Sequence, residues 1–207
     1  EAPDAATRDA VTKALAGLPQ GFKLGSLEIG VPAAPFRAVK DTAAGTLLLS
    51  GAVPDEATRT AMVAAAKRRF FAETVSDTTV VDARVPASAG PALVAALGPL
   101  SRLRSGLLTV SDGIAMLKGE AFYEQAAAAI RAAELPGGVR FDTVAVNVGP
   151  PEPAIDGPGC QALFQGLLSR GTILFDSGKA TIDQDSASIL DALAAAAARC
   201  PGAEIEI

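Results

Sequence analysis

Histidine is absent from this 207-residue chain, and so is tryptophan. The first absence removes the commonest general base and the commonest metal ligand. Cysteine occurs twice, at Cys160 and Cys200, so a cysteine-rich zinc site is excluded as well. No metal site and no cofactor is expected. Aromatic residues make up only 4% of the chain, and the formal net charge is −5. Nucleic-acid binding relies on basic stripes and stacking platforms, and this composition offers neither. Long apolar runs are missing too. Leu93–Leu100 and Ala192–Ala198 are the longest candidates, and both fall far short of the ~20 residues of a membrane span. No charged start followed by an apolar core stands at the N-terminus, so any export signal is expected outside this sequence.

What the chain does contain first suggests a nucleotide enzyme. Gly171-Thr-Ile-Leu-Phe-Asp-Ser-Gly-Lys-Ala-Thr-Ile182 has a Gly-Lys pair between an apolar run and a helical pattern. A phosphate-binding loop needs a first glycine five positions before the second, and a hydroxyl residue after the lysine to reach magnesium. Here Ile173 stands at the first place and Ala180 at the second. Both failures remove chemistry, and the nucleotide reading falls.

Self-comparison is more informative. Ala2-Pro-Asp-Ala-Ala-Thr-Arg8 recurs as Val53-Pro-Asp-Glu-Ala-Thr-Arg59, and Leu49-Ser-Gly51 recurs as Leu117-Lys-Gly119. The run from Leu18 to Val31 matches the run from Leu135 to Val148. These pieces describe one unit seen three times, in the order strand, strand, helix, strand. In the middle copy Phe36–Lys40 and Thr46–Gly51 form a hairpin, Pro54-Asp-Glu56 opens a helix that runs to about Phe71, and Thr74–Val85 returns as a strand. In the last copy Asp112-Gly113 turns a second hairpin, Leu107–Val110 with Ile114–Leu117. A helix from about Phe122 to Ala133 and a strand, Val139–Val148, complete it, and an additional helix at about Pro91–Leu103 precedes it. The first copy begins directly at its helix. A helix and strand alone leave an apolar sheet face unpaired, so we expect either a natural segment before Glu1 or completion of a neighbouring sheet.

The run Leu49–Arg59, the run Val110–Gly119 and the closing strands resemble the BON domain, over about Glu1–Pro150. The resemblance implies an α+β fold of tandem small units, each a mixed sheet with helices on one face. It also implies a bacterial envelope setting and contact with phospholipid surfaces. The expected division is a partial unit at 1–33, a unit at 34–88 and a unit with an extra N-terminal helix at 89–149.

Residues 150–159 then hold a linker rich in proline and glycine. Beyond it Leu163, Phe164, Leu167 and Leu168 share one helical face, Thr172–Phe175 reads as a short buried strand, and Asp183–Arg199 as a second helix with Ile189, Leu190, Leu193 and Ala197 on one stripe. Cys200-Pro-Gly202 stops that helix, and Glu204–Ile207 starts an alternating strand. Taken alone, the two cysteines leave a reactive dithiol, a metal pair and a structural bridge open, the last suited by their places at opposite ends of this unit. The pattern from Cys160 to Ile207 resembles the first part of an OmpA-like domain, the peptidoglycan-binding module of envelope proteins. In that light Gly171–Ile182 is the first strand and a turn, with Asp183 as helix cap, and the extracytoplasmic setting implies a Cys160–Cys200 disulfide. The family's ligand-gripping Asp and Arg follow the strand begun at Glu204, so peptidoglycan binding is expected only of the full-length protein, from residues past Ile207.

Two readings of Lys67-Arg68-Arg69-Phe70-Phe71 compete. One is a lipid-facing patch with an inserting aromatic pair. The other, which carries more weight, is cations favouring a helix C-terminus followed by core aromatics. The acid pairs Asp55/Glu56 and Asp183/Asp185 sit at helix starts, Glu204/Glu206 alternates with isoleucine, and Ser111 has no accompanying base, so no catalytic constellation emerges. The expectation is a non-catalytic protein of the periplasm or outer membrane of a Gram-negative-type bacterium, contacting a phospholipid membrane or envelope proteins. A protein–protein scaffold whose repeats add strands edge to edge is the alternative.

Overall fold

The structure is a computed structural model and describes residues 4–17 and 32–201. Two compact units divide the chain, Glu1–Ala34 and Pro35–Ile207. The described part of the first is helix α1, Ala5–Ala16. Asp4 caps it by accepting the Thr7 N–H at 2.7 Å, and the helix buries none of its residues. The strand expected from Leu18 lies outside the described residues, as does the one expected at Glu204–Ile207.

The second unit is an α+β fold built on a mixed sheet with six strands among the described residues. Strands β1, Phe36–Asp41, and β2, Thr46–Val53, form a hairpin. Helix α2, Glu56–Arg69, then crosses to β3, Thr74–Val81, which lies parallel to β2. After helix α3, Gly90–Ser101, the same order recurs: hairpin β4, Leu103–Ser111, with β5, Ile114–Ala121, then helix α4, Glu124–Arg131, and β6, Arg140–Val148, parallel to β5. The two runs meet through antiparallel β1 and β4, with Val39 opposite Leu107, and the strand order is β3-β2-β1-β4-β5-β6.

Local sequence explains the repeated parts. Asp55 caps α2 through the Thr58 N–H at 2.6 Å. Asp112 and Gly113 both take positive φ, 50° and 76°, as a two-residue primed hairpin turn requires. The recurring Leu-x-Gly marks a close approach of backbone. A Cβ on Gly51 would stand 1.9 Å from the Pro35 carbonyl oxygen, and one on Gly119 would stand 2.3 Å from that of Ser105.

Alternation decides which face is covered. Phe36, Ala38, Leu47, Leu49, Leu108, Val110, Ala115 and Leu117 point into a core shared with α2, α3 and α4. Small residues on the helices, Ala65, Ala66, Ala92 and Ala96, let backbones approach, and Leu93, Leu97 and Leu100 of α3 fill the space between. Each of those leucines is at most 1% exposed and contributes about 1.5–3 kcal/mol by leaving water. On the other face Arg37, Val39, Leu48, Met116 and Lys118 are exposed.

Past β6 the chain forms helix α5, Gly157–Leu168, and helix α6, Ala187–Ala198. A Cys160–Cys200 disulfide joins them, with the Cα atoms 5.9 Å apart. Two expectations are corrected here. Thr172–Phe175 is not a buried strand: a single bridge links Phe175 to Ile182, and Phe175 is 61% exposed. The helix expected from Asp183 opens as a short tight turn, Gln184–Ser186, before α6. The apolar stripe of α5 is only part-buried, because Cys160 is the one buried residue of that helix. Short apolar runs do not say by themselves how much partner surface they will find.

Candidate functional site

Strand β1 carries a lysine where its alternation calls for a core residue. Phe36, Ala38 and Lys40 share the covered face, and Lys40 is only 5% exposed. Its ammonium donates to the Ser101 carbonyl at 2.7 Å and lies 3.4 Å from Oε1 of buried Glu73. The Phe70 ring stands 5.6 Å from it, at cation–π range. Burial pushes the Lys40 pKa down, and the Glu73 charge opposes that shift. Lys40 is enclosed beside its carboxylate partner, with both side chains out of water. Thr42 donates to Glu73 Oε1 at 3.0 Å, while the buried Oε2 has no hydrogen-bond partner among the described residues.

This pair forms the floor of a cavity of about 680 Å³, between the sheet end and the α5–α6 segment. Phe71, Phe122, Leu163, Leu167 and Ala192 give it apolar walls. Charge gathers at the rim. Glu152 bridges Arg104 and Arg199, and the Arg104 guanidinium also lies 5.2 Å from the Phe122 ring centroid. Arg170 lines the same space with no ion-pair partner among the described residues.

Two carboxylates fix the α5–α6 segment in place. Asp191, 3% exposed, accepts Arg102 Nε at 2.7 Å and Nη2 at 3.2 Å, and the Tyr123 hydroxyl at 2.6 Å. Burial first, and the hydrogen bond to Asp191 second, push the Tyr123 pKa up to about 12. Asp185 accepts Arg68 at 2.7 Å and Arg69 at 2.6 Å. Burial alone would raise the Asp185 pKa, but the bonds from both arginines together hold it below the ordinary carboxylate value. Ser188 adds a bond to the Arg69 carbonyl at 2.5 Å.

The run 67–71 is thus placed as follows. Arg68 and Arg69 are bound to Asp185, Phe70 is 2% exposed within the core, Phe71 lines the cavity, and Lys67 is exposed. Lys67, Arg68 and Phe71 also border a second cavity of about 500 Å³. Sequence reading missed Lys40, Glu73, Tyr123 and Asp191. Only Lys40 left a local signal, a cation in phase with Phe36 and Ala38.

The sheet also presents a broad exposed face. Val39, Leu48 and Met116 are 39–40% exposed at its centre, and Arg37 and Lys118 are exposed on the same face. Among the described residues no helix is long and apolar enough to cross a membrane.

Residues 43–83, which run from the first hairpin turn through β2, α2 and β3, match the model of the BON-like domain family. No curated protein matches the chain. BON-like domains are non-enzymatic binding modules of periplasmic and membrane-associated proteins, so the match supports a binding role of envelope or membrane-associated type for this chain.

Proposed function

We propose that the chain is the binding part of a non-catalytic bacterial envelope protein, in which tandem BON-like units present the exposed sheet face to an envelope membrane. The observation that carries this reading is the face itself. Among the described residues the sheet leaves it exposed: Leu48, Val39, Leu107 and Lys118 stand in one row across β2, β1, β4 and β5, and Arg37, Thr109 and Met116 in the next. A single exposed apolar residue means little, but apolar residues and cations sharing one face of a rigid sheet suit contact with a surface. The units would be 1–33, 34–88 and 89–149, with 150–159 as linker. The segment 160–207 would be the start of an OmpA-like domain, by which the full-length protein anchors to peptidoglycan in the periplasm. The Cys160–Cys200 bridge and the Asp183 cap support that assignment. Co-sedimentation with anionic liposomes at low and high salt tests the membrane contact. Few cations face an acidic chain, so binding is weak and salt-sensitive.

One observation favours a second reading, an assembly scaffold. Among the described residues β3 ends the strand order, and Thr74–Val81 holds neither proline nor lysine to guard that edge. Strand addition by another envelope protein or a second copy would use it. No liposome binding at either salt, together with concentration-dependent association in light scattering, favours this reading.

A further inference from the structure

The cavity beside Lys40 and Glu73 belongs to neither the exposed sheet face nor the strand edge. Its chemistry specifies a ligand. Lys40 and Glu73 neutralise one another at the floor, 3.4 Å apart, so a further cation there would be left without a counter-charge. Glu73 Oε2 nevertheless lacks a hydrogen-bond donor among the described residues while its side chain is 1% exposed. A buried acceptor in that state needs an N–H or O–H. The donor that fits is therefore neutral. Around it Phe71, Phe122, Leu163 and Leu167 form walls that suit an aliphatic body, and Arg170 at the rim has no carboxylate among the described residues. A volume of about 680 Å³ lies in the range of small-molecule sites.

We infer that this cavity binds a small aliphatic acid bearing a neutral hydrogen-bond donor, an amide N–H or a hydroxyl, with the donor on Glu73 and the acid at Arg170. N-acylated amino acids and hydroxylated fatty acids share that chemistry.

Titration of the full chain by two-dimensional amide NMR tests it with two probes, N-acetyl-leucine and 3-hydroxyoctanoate. At least one should shift the amides of Phe71, Ala72, Glu73 and Phe122 in a saturable way, and the better probe distinguishes the amide from the hydroxyl source. Removing the donor, as N-acetyl-N-methyl-leucine or octanoate, should weaken binding roughly tenfold, because Glu73 Oε2 is then desolvated without a partner. Amidation of the acid should weaken it as well. Glu73→Gln leaves Lys40 uncompensated and so risks the fold, so the control is Ala195→Phe, which fills the cavity from α6 and leaves the floor intact. It should abolish the shifts while the melting temperature holds. If neither probe shifts these amides, or if Ala195→Phe binds as well as wild type, the inference is overturned, and the spare oxygen of Glu73 is a hydration site.

Discussion

Tyr123 on the turn before α4 donates its hydroxyl to Asp191 Oδ1 of α6 at 2.6 Å, across 68 positions of sequence. The same carboxylate takes Arg102 from the end of α3. One acid thus ties the disulfide-joined segment to the last repeat, as Asp185 ties it to the middle one through Arg68 and Arg69. Removing Asp191 strands a part-buried guanidinium. Breaking a buried pair costs ~3–5 kcal/mol, and Arg102 keeps about a quarter of its side chain in water, so Asp191→Ala should cost about 2 kcal/mol. In a chain of this size that lowers the melting temperature by roughly 4–8 °C. Tyr123→Phe should cost less, on the order of 1 kcal/mol. Thermal unfolding of both variants checks the order, and an Asp191→Ala melt equal to wild type would show that the segment is not held there.

The tyrosine also reports on itself. It is the only one in the chain, and tryptophan is absent. Ultraviolet titration of phenolate therefore reads Tyr123 alone. The folded protein should ionise at about 12, against ~10 once denatured. A folded pKa above the unfolded value contributes stability that is fully present below about 10 and is lost as pH rises towards 12. Asp191→Asn should bring the midpoint down. A wild-type midpoint near 10 before unfolding would contradict the buried bond to Asp191.

Reduction of Cys160–Cys200 opens a loop with a sequence separation of 40. Chain entropy assigns such a closure ~4 kcal/mol. Reduced and alkylated protein should therefore melt earlier than the oxidised form. Intact mass after alkylation without reductant should show no free thiol in material from an oxidising compartment, and two labelled thiols there would remove the bridge from the account.

The recurring order of hairpin, helix and strand in 36–81 and 103–148 was legible because its signals are local. Asp112-Gly113 marks a hairpin, and Pro54-Asp-Glu56 marks a helix start. The paired glycines Gly51 and Gly119 carry the repeat because a side chain would collide with the neighbouring strand at both. Pairing of β1 with β4 was not legible. It joins Val39 to Leu107, and nothing in either strand names the other. The Lys40–Glu73 floor and the Asp191 tie depend on that same long-range packing, so composition could not reveal them. Thr172–Phe175 was misread because a four-residue apolar run looks buried whether or not a partner strand exists.

The sheet face decides the central claim. Val39→Glu with Met116→Glu places two carboxylates on that face, both at positions already about 40% exposed, so the fold should persist. Flotation with phosphatidylglycerol vesicles at low salt should recover wild-type protein with the lipid, lose most of it at high salt, and lose the double variant at both. Wild-type protein that stays out of the lipid at low salt, or a folded double variant that floats as well as wild type, would contradict the account.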